Sequence, residues 1–402
     1  MRAPQIRGNE ERARWARFLI QGQAHMRRFA FGLMLSAVPA LAFAQYDTDA
    51  PHAVIMDHET GIVLYEKDAR TPMPPASMTK IMTAQMVFEA LASGEVSEDT
   101  TFTVSREAWE RGGVQSGSST MFLKVNSEAP VIDLLRGVII QSGNDACIAL
   151  AEGLAGSEDA FAQAMTDRAR DMGLESATFL NATGWPDEGH VISPIDLAKL
   201  TREQIRMFPE ADRYGLYAER SFTWNDIKQD NRNPLLGRFT GADGVKTGST
   251  SVSGYGLVGS AERDGERRII VINGLDSMGE RRRVALEMMA ASFRDFEVID
   301  AFASGASLGD VPVYMGEEET VGLVLRDDVK LGTHRRERAT VAARVDYTSA
   351  PAPVGEGDKI AELVILKAGQ EVDRYPLYAD ASVARKGFFG RAAAALMQKV
   401  RG

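Results

Sequence analysis

The sequence predicts a mixed α/β (α+β) protein. A larger domain with a central antiparallel sheet flanked by helices comes first, then a small all-β domain and a terminal amphipathic helix. Three observations carry this. Up to residue 296, strand-like and helix-like hydrophobic patterns alternate along the chain. From residue 297, short runs rich in Val, Thr and Gly replace the helical segments. In 384–402, Phe388-Phe389, Ala392-Ala393, Leu396-Met397 and Val400 fall near one helical face, decorated by Arg385, Lys386, Arg391, Lys399 and Arg401. The 402 residues suffice for two domains, and 44% hydrophobic with 25% charged is an ordinary folded composition.

Met26-Arg27-Arg28 is a basic start, Phe29 to Leu41 an apolar run too short to span a bilayer, and Ala42-Phe43-Ala44 a small-x-small cleavage site. Together they read as an export signal, with translation starting at Met26 and cleavage after Ala44. Residues 1–44 are thus leader and signal, 45–296 the catalytic domain, 297–383 the β-domain and 384–402 the terminal helix.

Within the catalytic domain, His52 to Met56 and Ile62 to Glu66 flank the turn Glu59-Thr60-Gly61 and predict a hairpin. After the proline-rich loop Thr71 to Pro75, apolar residues at Met78, Ile81, Met82, Met86, Phe88 and Leu91 predict a buried helix from Ser77 to Gly94. Further helices are expected over Val131–Val138, Asp145–Leu154, Glu158–Met172 and Pro194–Phe208, the last capped by Ser193. Asn181 to Gly189 reads as a polar loop. Strands follow around Lys246, over Gly254–Ala261 and, after the Asp264-Gly265 turn, over Arg267–Leu275; Ala285–Phe296 is the last helix. In the β-domain the runs are Pro312–Tyr314, Thr320–Leu325, Ala339–Val345, Lys359–Lys367 and Val372–Leu377.

A net charge of −10 and a pI near 5.2 argue against nucleic acid as a partner. Cys147, the one cysteine, lies in an apolar run and reads as a small buried hydrophobe. The five histidines (His25, His52, His58, His190, His334) show no metal-ligand spacing. The terminal helix would be roughly 25 Å long at 1.5 Å per residue. It has too few apolar residues to cross a membrane, and its cations fit an anionic bilayer surface. Docking on its own domain is the plainer alternative.

Three words carry chemistry: Ser77-Met78-Thr79-Lys80, Ser142-Gly143-Asn144 and Lys246-Thr247-Gly248. A Ser-x-x-Lys arises by chance about once in a chain of this length, and Lys-Thr-Gly in roughly one such chain in ten. Each is also a plausible helix cap, loop or surface strand. Their joint occurrence, in order and in an exported chain, is what weighs. On a helix Ser77 and Lys80 share a face, so Lys80, if neutral, can act as general base for a Ser77 nucleophile. Desolvation and a nearby cation, expected to be Lys246, lower its pKa. Ser142 can relay a proton and Asn144 can offer its amide to a substrate. Gly248 lets a substrate backbone approach an edge strand, and the backbone N–H groups of Ser249 and Ser77 can form an oxyanion hole. No cofactor or metal is called for.

With its surrounding words the chain resembles the low-molecular-mass penicillin-binding proteins, serine D-alanyl-D-alanine carboxypeptidases of the penicillin-binding protein 5 type, from about Ala53 to the C-terminus. The words are Pro75-Ala76-Ser77-Met78-Thr79-Lys80-Ile81-Met82-Thr83, Gly117-Ser118-Ser119-Thr120-Met121-Phe122-Leu123, Gln141-Ser142-Gly143-Asn144-Asp145-Ala146, Asn231-Arg232-Asn233 and Asp243-Gly244-Val245-Lys246-Thr247-Gly248. The resemblance implies a β-lactamase/transpeptidase-like fold. It implies acyl-serine chemistry on peptidoglycan pentapeptide, with penicillins and other β-lactams as acylating inhibitors and the outer face of the cytoplasmic membrane as the location. It further implies that Thr247, Ser142 and an arginine hold the substrate carboxylate. Spacing favours Arg281, but Arg282 and Arg283 adjoin it. Ser249 departs from the histidine that several members carry there. A serine β-lactamase is the nearest rival, and Glu188 in the 181–189 loop lacks that class's Glu-x-x-Asn setting. A slow-turnover penicillin- or peptidoglycan-binding module and a cross-link endopeptidase are further alternatives.

Overall fold

The computed structural model describes residues 46–209 and 213–388. Two compact units emerge, one ending at Phe296 and one beginning at Glu297. The signal segment and residues 389–402 of the expected terminal helix lie outside the described residues; residues 384–387, where that helix was expected to begin, are not helical, Arg385 bridging to Gly316.

The first unit is built on five antiparallel strands. Strands β1 (His52–Asp57) and β2 (Val63–Lys67) form the opening hairpin. The Asp57 carboxylate closes its turn by accepting from Thr60 N–H (2.8 Å) and Thr60 Oγ1 (2.6 Å). Two short pairs follow in sequence, β3 (Thr101–Thr103) with β4 (Glu128–Pro130), and β5 (Ser221–Trp224) with β6 (Ile227–Asp230). The long strands β7 (Ala242–Thr250), β8 (Gly254–Arg263) and β9 (Glu266–Leu275) complete the main sheet, in the order β2-β1-β9-β8-β7. Every residue of β9 from Arg268 to Asn273 is buried, so both faces of the sheet are covered at its centre. This puts β7, with Lys246, at the free edge.

Among the described residues the unit has seven α-helices: α1 (Lys80–Ser93), α2 (Arg106–Gly112), α3 (Val131–Arg136), α4 (Asn144–Ala155), α5 (Glu158–Asp171), α6 (Pro194–Met207) and α7 (Met278–Arg294), of which α1, α6 and α7 pack on the sheet. Helix α1 ends at left-handed Gly94, and the Ser193 hydroxyl caps α6 by accepting from Asp196 N–H. Three helical expectations are corrected. Ser77 precedes α1, in a 3-10 turn over Ala76–Thr79. The helix from Val131 stops at Arg136 and widens into a π turn over Gly137–Gln141. Helix α7 begins at Met278, seven residues before Ala285. Its start is a capping arrangement: Ser277 Oγ accepts from Glu280 N–H (3.1 Å) and the Glu280 carboxylate accepts from Asp276 N–H (2.9 Å). Gly279 and the charged run 280–283 hide that start from an apolar-periodicity reading.

Arg268 is 1% exposed and lies across from Asp57 in the β1–β9 register. Its guanidinium pairs with Asp57, bonds Glu266 (2.8 Å) and reaches the Ser292 carbonyl (3.4 Å). A buried cation is tolerated because each of its nitrogens finds an acceptor.

In the second unit, β10 (Phe296–Phe302) pairs with β13 (Val329–His334). A six-stranded sheet has the order β14-β16-β17-β12-β11-β15, with β11 (Ser307–Tyr314), β12 (Thr320–Val324), β14 (Val341–Tyr347), β15 (Ala350–Pro351), β16 (Lys359–Lys367) and β17 (Gln370–Ala379). Its core includes Val311, Leu323, Leu363, Ile365 and Leu377. Strands β10, β13 and β15 were not expected from sequence: β10 carries Glu297 and Asp300, β13 a glycine, and β15 is two residues long.

Candidate active site

Ser77 stands on a turn held between two stretches of main chain. Gly248 of β7 lies on one side: a Cβ there would sit 2.8 Å from the Pro75 carbonyl oxygen. Gly184 (φ +81°) lies on another, where a Cβ would sit 1.9 Å from the Ala76 carbonyl oxygen. The close approach at Gly248 is thus made by the protein's own nucleophile turn. Ala76 itself has φ +48°, a strained conformation for an L-residue that the two flanking segments enforce.

Lys80, one turn on, is 1% exposed. Its Nζ donates to Ser77 Oγ (3.0 Å), Asn144 Oδ1 (2.8 Å) and the Thr183 carbonyl (2.5 Å). Asn144, the first residue of α4, uses its amide nitrogen on Ser118 Oγ (3.0 Å), so its oxygen is turned to Lys80. Ser142 closes the π turn in the left-handed region (φ 59°) and accepts from Lys246 Nζ at 3.0 Å. A π turn inserts one extra residue per turn, and here that residue swings Ser142 toward β7. Lys246, 3% exposed, also donates to the Thr247 carbonyl (3.1 Å). Ser77, Lys80 and Asn144 therefore form one hydrogen-bonded group, and Ser142 with Lys246 a second one. Thr247 and Gly248 are buried beside it, and Ser249 is exposed on the same strand.

Burial pushes both amines below the ordinary lysine range. At Lys80 burial is the leading cause, and Arg232 is the cation acting in the same direction. At Lys246 burial again comes first, then Lys80, Arg232 and Arg281. Of the two causes expected at Lys80, burial leads, and the cation that acts beside it is Arg232. Arg281 is buried over the Tyr255 ring, and its Nε finds no protein partner. Arg282 and Arg283 are exposed, Arg283 being paired with Asp49 (2.6 Å) and Glu287 (2.9 Å). Geometry thus separates Arg281 from its neighbours. Among the described residues, none of Lys80, Lys246, Arg232 and Arg281 is ion-paired to a carboxylate, which leaves a field that favours an anionic ligand.

Sequence reading named no role for several groups that hold the site. Asp145, buried, fixes the 120–123 segment by accepting from Thr120 Oγ1 (2.6 Å) and from the N–H groups of Met121 (2.7 Å) and Leu123 (3.0 Å). Arg232 donates to Ser119 Oγ (2.6 Å). The Thr183 segment is pinned by Thr83 Oγ1 on the Ala182 carbonyl (2.7 Å) and by the Glu158 carboxylate on Ala182 N–H (3.1 Å). Thr183 acts through its main-chain carbonyl, which no side-chain pattern signals; the nearest sequence sign is Gly184.

The profile described as D-alanyl-D-alanine carboxypeptidase matches residues 39–277, and that of the penicillin-binding protein 5 C-terminal domain matches residues 296–385. This chain belongs to the D-alanyl-D-alanine carboxypeptidase family. Among its relatives, the D-alanyl-D-alanine carboxypeptidase DacD of Salmonella typhimurium is 35% identical over 88% of this chain and 92% of its own length. Penicillin-binding protein 5 from Haemophilus influenzae is similar in structure, with a TM-score of 0.68 and 32% identity over 85% of this chain and all of that one. Penicillin-binding protein D2 from Listeria monocytogenes, solved in an ampicillin-bound form, aligns with a TM-score of 0.53 and 29% identity over 62% of this chain and 99% of that one. The family and the two-part fold follow from these matches. Among the described residues no helix is long and apolar enough to cross a membrane.

Proposed function

We propose that this family member removes the terminal D-Ala from peptidoglycan pentapeptides through an acyl-serine intermediate. The observation that carries the reading is Ser77 Oγ bonded to a fully buried Lys80 whose charged form is disfavoured, beside unpaired cations. Neutral Lys80 takes the Ser77 proton as Oγ attacks the penultimate D-Ala carbonyl. The backbone N–H groups of Ser77 and Ser249 receive the oxyanion. Thr247, Ser142 and Arg281 hold the substrate carboxylate, the fork of Arg281 fitting it best. Protonated Lys80 gives that proton back by way of Ser142 to the leaving amine, with Lys246 beside it; the C–N bond breaks, D-Ala departs, and water then cleaves the Ser77 ester and restores the hydroxyl.

Against a β-lactamase stands what the 181–189 segment presents to Lys80: a main-chain carbonyl. Glu188 is exposed, and the Glu158 carboxylate is taken by Ala182 N–H and by Arg111 (3.1 Å). Among the described residues no carboxylate is hydrogen-bonded to Ser77 or Lys80, so the glutamate device that speeds deacylation in a β-lactamase has no counterpart in these bonds. Purified protein is expected to release D-Ala from diacetyl-lysyl-D-Ala-D-Ala and to form a long-lived adduct with labelled penicillin. No D-Ala release, with rapid penicillin hydrolysis, would reverse this reading.

The signal segment, the expected terminal helix and the substrate class support a periplasmic location on the outer face of the cytoplasmic membrane. Deleting residues 384–402 is expected to leave activity on soluble peptide intact and to move the protein from the membrane to the soluble fraction. A truncated protein that stayed with the membrane would refute the anchor.

A further inference from the structure

His190 is 2% exposed and follows Gly189 at the end of the loop before α6. Its Nδ1 lies 3.1 Å from Leu180 N–H, which can only donate, so Nδ1 is the acceptor and the ring proton sits on Nε2. Nε2 then donates to Thr79 Oγ1 at 2.9 Å. Thr79 is the residue between Met78 and Lys80 in the nucleophile turn. Leu180 opens the segment whose Thr183 carbonyl accepts from Lys80 and whose Gly184 packs on Ala76. One imidazole therefore ties together the two segments whose relative placement sets the surroundings of Lys80. Phe179 lies edge-on to the ring at 5.7 Å and helps exclude water.

We propose that His190 is a positioning residue for acylation: its neutral imidazole pins the Leu180–Gly184 segment to the Ser77 turn, so that the Thr183 carbonyl and Ser77 Oγ hold Lys80 in line for proton transfer. This rests on the acyl-serine reading of the site. A protonated ring has two donors and no acceptor, so Nδ1 would face Leu180 N–H and the tie would open. Burial first, and Lys80 from α1, oppose that protonation, while Asp187 in the same loop favours it; the balance lowers the His190 pKa to about 4. The tie is thus closed at neutral pH.

The test measures acylation by a fluorescent penicillin and D-Ala release from diacetyl-lysyl-D-Ala-D-Ala for wild type, His190→Ala, His190→Gln, Thr79→Val and the Gln/Val double variant. At pH 7, His190→Ala is expected to slow acylation about 10²-fold, the scale of a small misplacement at a reacting centre, with KM little changed. His190→Gln, whose amide N–H can still reach Thr79, is expected to recover part of the rate. The double variant is expected to lose less than the product of the single losses, because both substitutions break one tie. Below pH about 4 the wild-type acylation rate is expected to gain dependence on one further proton, which His190→Gln lacks. Wild-type rates in His190→Ala, multiplicative losses in the double variant, or an unchanged acid limb in His190→Gln would overturn the inference. If His190→Ala does not fold, the Gln and Val variants decide alone. A wild type that is acylated by penicillin yet releases no D-Ala would sink the carboxypeptidase reading only, since the acylation measurements still judge His190.

Discussion

Ser77→Ala is expected to abolish D-Ala release and penicillin labelling together, with a fall of about 10⁴-fold or more, as when the nucleophile of other serine hydrolases is removed. The hydroxyl is the only group on the turn that both faces Lys80 and can form an ester. The substitution should cost little stability, since Ser77 is half-buried and its one described side-chain bond is accepted from Lys80. Lys80 keeps Asn144 and Thr183 as partners. Steady-state D-Ala assays, gel labelling and thermal unfolding separate these effects. A variant that still released D-Ala would remove Ser77 from the mechanism.

Arg268→Ala is expected to destabilise the first unit by about 3–5 kcal/mol, because it strands the Asp57 carboxylate in the sheet without its cation. Replacing both partners, Arg268→Met with Asp57→Leu, is expected to cost much less, since neither buried charge is then unpaired. Asp57 also holds the β1–β2 turn through Thr60, so some loss should remain in the double variant. Chemical unfolding followed by circular dichroism reads both. A cost below about 1 kcal/mol for Arg268→Ala would show that the pair is dispensable.

The catalytic words were legible because they are side-chain chemistry at short spacing. Ser77 and Lys80 share one turn, and Lys246-Thr247-Gly248 needs only a strand next to a glycine. The long strands and most helices were legible for the same local reason: period and caps lie within a few residues. What escaped was long-range or carried by the backbone. Thr183 contributes a carbonyl, and its identity says nothing of that. His190 looked like one scattered histidine because its partners, Thr79 and Leu180, become neighbours only after folding. The packing of Gly248 against Pro75 joins residues far apart in sequence and is likewise visible only in the fold. The start of α7 was in reach: Ser277 and Glu280 spell a capping pair that apolar periodicity does not detect.

Two buried amines without a counter-ion also bear on the thermodynamics of the fold. Both lysines have native pKa values below those of the unfolded chain, so the unfolded state binds more protons between the two. Stability from these groups is therefore fully present only above the unfolded lysine pKa and is lost as pH falls through the native values. In the proposed reaction a substrate carboxylate held by Thr247, Ser142 and Arg281 comes to lie beside these amines. Binding then favours the folded state by linkage, and a bound substrate analogue is expected to raise the unfolding temperature.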